Sequence, residues 1–176
     1  MRTWEEVRED FPILKEKIHG KDLIYLDNAA TTQLPQQVLD CFVEHYTKYN
    51  ANVHRGIHYL SELSTMHMEA VRDKLKAFLH AEDQGEIIFT SGATDSANLV
   101  AQSFLRHVLQ PGDVVLSTEL EHHANFVVWQ QVCQECGAEF RMIPTVDGEL
   151  DMDAAHKMLS DKVKLLAVTA VSNVTG

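Results

Sequence analysis

The spacing of apolar residues along this chain changes near residue 86. Before that point the clearest periods are helical. A segment from about Thr3 to Phe11 reads as an opening helix that ends at Pro12. After Pro35, a residue suited to the first turn of a helix, Val38, Phe42, Tyr46 and Tyr49 keep one face apolar. Val71, Leu75 and Phe78 mark a further helix with Lys and Arg on the opposite face. Between these helices the pattern predicts a short strand, LIYLD (23–27), then the polar loop NAATTQL and a weakly patterned stretch, NANVHRGIHYLSE (50–62).

From residue 86 onward, strands alternate with helices. EIIFT (86–90) is a short apolar run, and after SGAT a helix is expected with Ala97, Val100, Ala101, Phe104, Leu105 and Val108 inward, broken by Pro111-Gly112. DVVLSTE (113–119) predicts a strand and ANFVVWQQVCQEC a helix with Val128, Trp129, Val132 and Cys136 on one face, capped by Gly137. EFRMIP is the next strand, Asp147-Gly148 a turn, Asp151 to Leu159 a short helix, and VKLLAVTAV (163–171) a last, strongly apolar strand. Apolar runs without polar alternation imply a sheet covered on both faces, and the alternation with helices makes it an α/β fold with a mostly parallel sheet. Only SNVTG follows the last strand, so an incomplete α/β domain is expected, with apolar surface left for something else to cover.

Bulk properties narrow the partners. The 176 residues are enough for a real core, and 26 acidic against 15 basic residues give a net charge of −11. That balance argues against nucleic acid and against an anionic membrane surface. A small phosphorylated ligand stays possible, because backbone amides bind one without net positive charge. No run of 18 or more apolar residues is present, and the opening MRTWEEVREDFPIL lacks the basic-then-apolar pattern of a signal peptide. Three cysteines, Cys41, Cys133 and Cys136, do not make a secreted disulfide framework, and a cytoplasmic protein is the expectation.

In open α/β sheets ligands gather beyond the carboxyl ends of the strands. Ser91-Gly92-Ala93-Thr94, Glu121-His122-His123 and Ser172-Asn173 all follow predicted strands. The first of these, at a helix N-terminus, reads either as a phosphate cradle or as a turn and cap. Adjacent His122 and His123 allow three readings: metal ligands, a general base, or a flat ring against which another group lies. His54 and His58 are four apart, but Arg55 and Gly56 between them make a regular metal-binding helix face doubtful. Cys133-x-x-Cys136 sits mid-to-late in a helix, whereas redox pairs open one, so core packing or a helix terminus is its expected role.

Five collinear stretches, YLDNAATTQ (25–33), NANVHRGIHYLSE (50–62), FTSGATDSANLV (89–100), LEHHANFVVWQ (120–130) and VTAVSNVTG (168–176), together resemble the N-terminal part of the Suf-type (group II) cysteine desulfurases, within the pyridoxal-phosphate-dependent class V aminotransferase family. The resemblance implies the large domain of a fold-type I transferase. Residues 1–20 would form an N-terminal helical segment and 21–176 the first part of the cofactor-binding domain, its C-terminal half and small domain lying outside. It implies pyridoxal 5'-phosphate as cofactor, with His122 stacked on its ring and able to pass protons, and His123 behind it. Ala93 and Thr94 would hold the phosphate, and Asn173 would bond near the phenolic oxygen and the substrate carboxylate. Asn28, Ala29, Ala30 and His54 would line the substrate side. Asp95 stands where the best-known members carry Glu, a conservative change in local polar contacts.

The implied reaction removes sulfur from L-cysteine to give L-alanine and an enzyme persulfide. A sulfur-acceptor protein then takes the sulfur for iron–sulfur cluster assembly, in a homodimer. Four groups that it needs belong past the point matching Gly176: the lysine that carries the cofactor, the acid at its ring nitrogen, the arginine for the substrate carboxylate and the sulfur-accepting cysteine. This chain alone is therefore expected to be inactive. His156-Lys157 mimics part of the lysine motif but precedes the last strand, in the wrong order, and none of the three cysteines matches. The alternatives are a selenocysteine lyase or another class V relative, a non-catalytic module that binds phosphate or a partner, and a metal-binding protein using the histidines.

Overall fold

A computed structural model describes residues 2–176, in two compact units that divide between Ile88 and Phe89. In the first, helix α1 (Trp4–Arg8) opens on a reciprocal cap: the Glu6 amide donates to the Thr3 hydroxyl at 3.2 Å and the Thr3 amide to the Glu6 carboxylate at 2.7 Å. The helix stops short of the expected Phe11. A residue before proline is pushed out of the helical region, and Phe11 is extended at φ −104° and ψ 98° before a 3-10 turn, Pro12–Lys15.

The expected strand at 23–27 does not form. Instead β1 (Lys17–Ile18) and β2 (Lys21–Asp22) make a two-stranded hairpin around His19 and Gly20, both at positive φ. Residues 23–27 have no strand beside them in this unit. Within the segment, the Leu23 amide donates to the Glu16 carbonyl at 3.2 Å, Arg8 donates to the Leu23 carbonyl at 3.0 Å and the Tyr25 hydroxyl to the Asp27 carbonyl at 3.1 Å.

Helix α2 (Gln36–Glu44) follows Pro35, which is its N-cap, and widens into a π turn over His45–Tyr49. The long helix α3 (Tyr59–Leu79) then turns two buried serines toward the 49–58 loop. Ser61 donates to the Asn52 carbonyl at 2.6 Å and accepts from the Gly56 amide at 3.0 Å. Ser64 donates to the Tyr49 carbonyl at 2.5 Å, and Thr65 accepts from the His54 amide at 2.9 Å. A Cβ at Gly56 would stand 2.4 Å from Ser61, so only glycine fits there. A 3-10 turn, Gln84–Glu86, closes the unit where EIIFT predicted a strand. No strand pairs with 87–90 among the described residues, and Arg72 binds the Ile87 carbonyl instead.

In the second unit, α4 (Ala93–Val100) runs through a π turn, Ala101–Leu105, into α5 (Arg106–Val108). Strand β3 (Val114–Thr118), helix α6 (Val127–Cys136) and strand β4 (Glu139–Ile143) come next. A short hairpin, β5 (Thr145–Val146) and β6 (Glu149–Leu150), turns at Asp147-Gly148 and leads into α7 (Met152–Met158) and β7 (Val163–Leu166). The sheet has the order β4-β3-β7, parallel throughout, as the alternating pattern implied. Every residue of β3 is buried.

The core gathers Ala101, Leu105 and Leu109 from the α4–α5 run, Val128, Trp129, Val132 and Cys133 from α6, and Val115 and Ala167 from the sheet. Two expectations are corrected here. Val100, Phe104 and Val108 are 41%, 54% and 40% exposed, while Ala101 and Leu105 are fully buried. A stripe at spacing four (97, 101, 105, 109) drifts around a helix of 3.6 residues per turn but stays in line where a π turn widens it. On α6 the buried cysteine is Cys133, with Cys136 only partly covered beside the Gly137 cap. The last strand also stops early, at Leu166 rather than Val171. No described helix is long and apolar enough to cross a membrane.

Leu105→Ala should lower the unfolding free energy by about 3 kcal/mol through the cavity it leaves, while Val108→Ala should cost under about 1 kcal/mol. Urea unfolding followed by tryptophan fluorescence checks both.

Candidate functional site

Parallel pairing brings the carboxyl ends of β3 and β7 to one side of the second unit, the side from which α4 starts. A cavity of about 300 Å³ opens there, lined by Ala93, Ala97, Glu121, His122, Ala124, Asn125 and Thr169. Next to it a shallower groove of about 550 Å³ is lined by residues 91–95 and Asn98.

The α4 terminus is built to stay open. Gly92, at φ 153° and ψ 179°, occupies a region reserved for glycine, offers no side-chain cap, and a Cβ there would meet nothing within 4 Å. The carboxylate of Asp95 turns back to accept from the Ser91 amide at 3.1 Å, and Thr90 and Ser96 share a hydroxyl contact of 2.6 Å. The side chains that brace the turn therefore stand beside its amides. Ala93 faces the cavity, and Thr94 lines the groove.

His122 caps a 3-10 turn, His123–Asn125, and its Nδ1 accepts from the Ala124 amide at 3.1 Å. In the neutral ring that bond puts the proton on Nε2. His123 turns elsewhere, its ring 5.7 Å from that of Phe126, which stacks at 6.1 Å on Phe140.

Glu121 holds the floor together. Its Oε1 accepts from the Thr118 hydroxyl and the Thr169 amide, both at 2.7 Å, and its Oε2 accepts from Asn125 Nδ2 at 2.7 Å. Asn125 Oδ1 in turn accepts from Trp129 Nε1 at 3.1 Å. The Thr169 amide thus goes to a side chain rather than to a ladder, beyond the end of β7 at Leu166.

Of the residues singled out from the sequence, Ala93 and His122 share the cavity, with Thr94 in the adjoining groove. Asn173 lies exposed in the 172–175 turn and borders neither. The others belong to the first unit. Asn28 lines a separate cleft with Trp4, Tyr25 and Thr32. Ala29 and Ala30 form the turn after it, and His54, at φ 65°, has Nε2 3.3 Å from a Glu69 oxygen. Sequence reasoning missed Glu121, Asn125 and Thr169. The first two were in plain view within EHHAN, and the third was a polar residue inside a run read as strand.

The metal reading finds no group of three or more His, Cys, Asp or Glu gathered for an ion among the described residues. The redox reading of Cys133 fails on chemistry: burial, with the neighbouring Cys136 adding, pushes its thiol up to about 11.

Residues 24–176 match the model of the aminotransferase class-V family. The chain belongs to that family. Among class-V relatives, it is 48% identical to a probable cysteine desulfurase of Halobacterium salinarum over 98% of its own length and 42% of the relative's. A solved cysteine desulfurase from Thermococcus onnurineus superposes with a TM-score of 0.88 at 39% identity, over 98% of this chain and 41% of that one. One from Escherichia coli gives 0.84 at 34%, over 100% and 43%. The chain thus spans about two-fifths of the relatives and solved structures it resembles, and it shares part of their fold: a parallel sheet flanked by helices.

Because a raised thiol pKa keeps Cys133 protonated through neutral pH, iodoacetamide at pH 8 should label exposed Cys41 at least about a hundredfold faster than Cys133. The Cys133 rate should climb only toward pH 11. Peptide mass spectrometry of the native, alkylated chain reads both.

Proposed function

We propose that this chain forms the cofactor-holding first part of a cytoplasmic cysteine desulfurase, with residues 21–176 belonging to its large domain. That enzyme takes sulfur from L-cysteine, leaves L-alanine, and passes the sulfur as a persulfide to an acceptor protein for iron–sulfur cluster assembly. The reading is supported by family membership and by relatives named for that activity. The observation that carries it is the shared cavity of His122 and Ala93 at the carboxyl ends of parallel strands.

The residues present fit pyridoxal 5'-phosphate. The glycine turn at 92 leaves empty space where a side chain would stand, before a helix whose first amides no residue caps. Such a terminus accepts a phosphate through its N–H groups and its dipole. In our assignment Ala93 and Thr94 hold that phosphate, Thr94 through hydroxyl and amide. His122 lies flat against the ring, with Nε2 free to take or give a proton, and Asn173 bonds near the phenolic oxygen and the substrate carboxylate. Asn28, Ala29, Ala30 and His54 belong to the substrate side, and the active form is a homodimer. The cofactor supplies an electron sink when bound. No lysine lines the cavity, so we assign this chain cofactor recognition without covalent attachment.

Titration of the chain with pyridoxal 5'-phosphate should shift the amide resonances of Ala93, Thr94 and His122, and pyridoxal without phosphate should bind more weakly. Replacing the stacked ring, His122→Ala, should weaken binding by about fivefold, since an aromatic stack contributes about 1 kcal/mol. Equal binding by the variant, or shifts confined to other residues, would remove the basis for the assignment. Joined to the remaining part of the Halobacterium salinarum relative, the chain should release alanine from L-cysteine. Alone it should release none.

A further inference from the structure

We infer that Glu121 is a positioning residue: its carboxylate fastens the strand ends that carry His122 and so sets the height and angle of that ring over the cavity. The inference rests on the proposed cofactor site and adds to it a residue that neither touches the cofactor nor moves a proton.

An ionised carboxylate is an acceptor only, and Glu121 spends both oxygens on donors from three places: the Thr118 hydroxyl at the end of β3, the Thr169 amide beyond β7, and Asn125 Nδ2 in the turn that His122 caps. All three distances are 2.7 Å, in the range of charge-assisted bonds. His122 is enclosed by the clamp. Its carbonyl accepts from the Asn125 amide at 2.8 Å, and its Nδ1 accepts from the Ala124 amide. A shift of Asn125 therefore moves both anchors of the imidazole. Asn125 itself cannot turn over freely, because its Oδ1 is committed to Trp129 Nε1, inside the core. With both oxygens engaged in this way, Glu121 is a poor general base despite lining the cavity.

The polarity of the clamp makes a specific test available. In Glu121→Gln the remaining oxygen can still serve Thr118 and Thr169, but the new amide N–H faces Asn125 Nδ2, donor against donor. Flipping Asn125 would mend that contact only by presenting its NH2 to Trp129. The swap Glu121→Gln with Asn125→Asp restores every pairing: the amide introduced at position 121 donates to one oxygen of the carboxylate introduced at position 125, and Trp129 donates to the other.

The experiment compares the chain, Glu121→Gln and the double swap by 15N shifts of the His122 ring, binding of pyridoxal 5'-phosphate and thermal melting. Glu121→Gln should move the His122 Nδ1 resonance away from that of a hydrogen-bonded acceptor and weaken binding about tenfold, as expected for one unpaired polar contact. The swap should bring both back. Glu121→Gln with unchanged ring shifts and binding would overturn the proposal. So would a swap that recovers the melting temperature but not the His122 signature, since Glu121 would then serve only stability. If Glu121→Gln does not fold, the swap against the parent chain decides on the same two readouts. His122→Ala separates the levels. If it binds as the parent does, the cofactor assignment fails; if it binds weakly while Glu121→Gln does not, only the positioning role fails.

Discussion

The candidate site depends on one constraint: β3 is hydrogen-bonded on both edges by strands running the same way, and all five of its residues are buried. A strand in that position has no freedom to slip, because a one-residue shift would turn its side chains over. Parallel neighbours also force their carboxyl ends to the same side, so the segments that follow β3 and β7 meet. Leu105, Trp129 and Val132 press on this sheet from the helices and hold the frame still. Chemistry at the rim then needs only short loops, and the chain spends them on Glu121, His122, Asn125 and Thr169.

Those rim residues divide the electrostatic work. At the rim, the Glu121 carboxylate has both oxygens engaged, while the imidazole beside it uses Nδ1 to hold its own turn. A bare carboxylate at this spot would repel an anionic ligand. Tied into three donors, its charge is spread across the loops, and at the start of α4 the Asp95 carboxylate is likewise engaged, by the Ser91 amide, beside the positive end of the helix. A chain of net charge −11 can bind an anion this way because the local field, not the total, decides.

Much of the second unit could be read from residue pattern alone. The apolar runs at 113–119 and 163–171 gave parallel strands, and Gly137 and Asp147-Gly148 took the left-handed conformations their identities suggested. The inward face of the 93–108 helix was misjudged at Val100, Phe104 and Val108, since a π turn resets the phase and nothing local announces one. LIYLD and EIIFT have the composition of strands but found no partner within the described structure. Strand propensity is a statement about neighbours as much as about residues. At the site, the cavity-facing Ala93 and His122 were legible through motif. Thr169 was not, because its role lies in an amide bonded to a residue 48 positions away.

The contact between Gly56 and Ser61 has an evolutionary corollary. A methyl group at 56 would overlap the serine's own Cβ, so the two sites cannot drift independently. Larger residues become admissible at 56 only after position 61 is pared back, and that first step surrenders the hydroxyl bridging Asn52 to Gly56. Either mutation alone is a loss. Descendants of this chain should therefore keep the pair or exchange both, and the loop bearing His54 inherits its shape from a coupling five residues long.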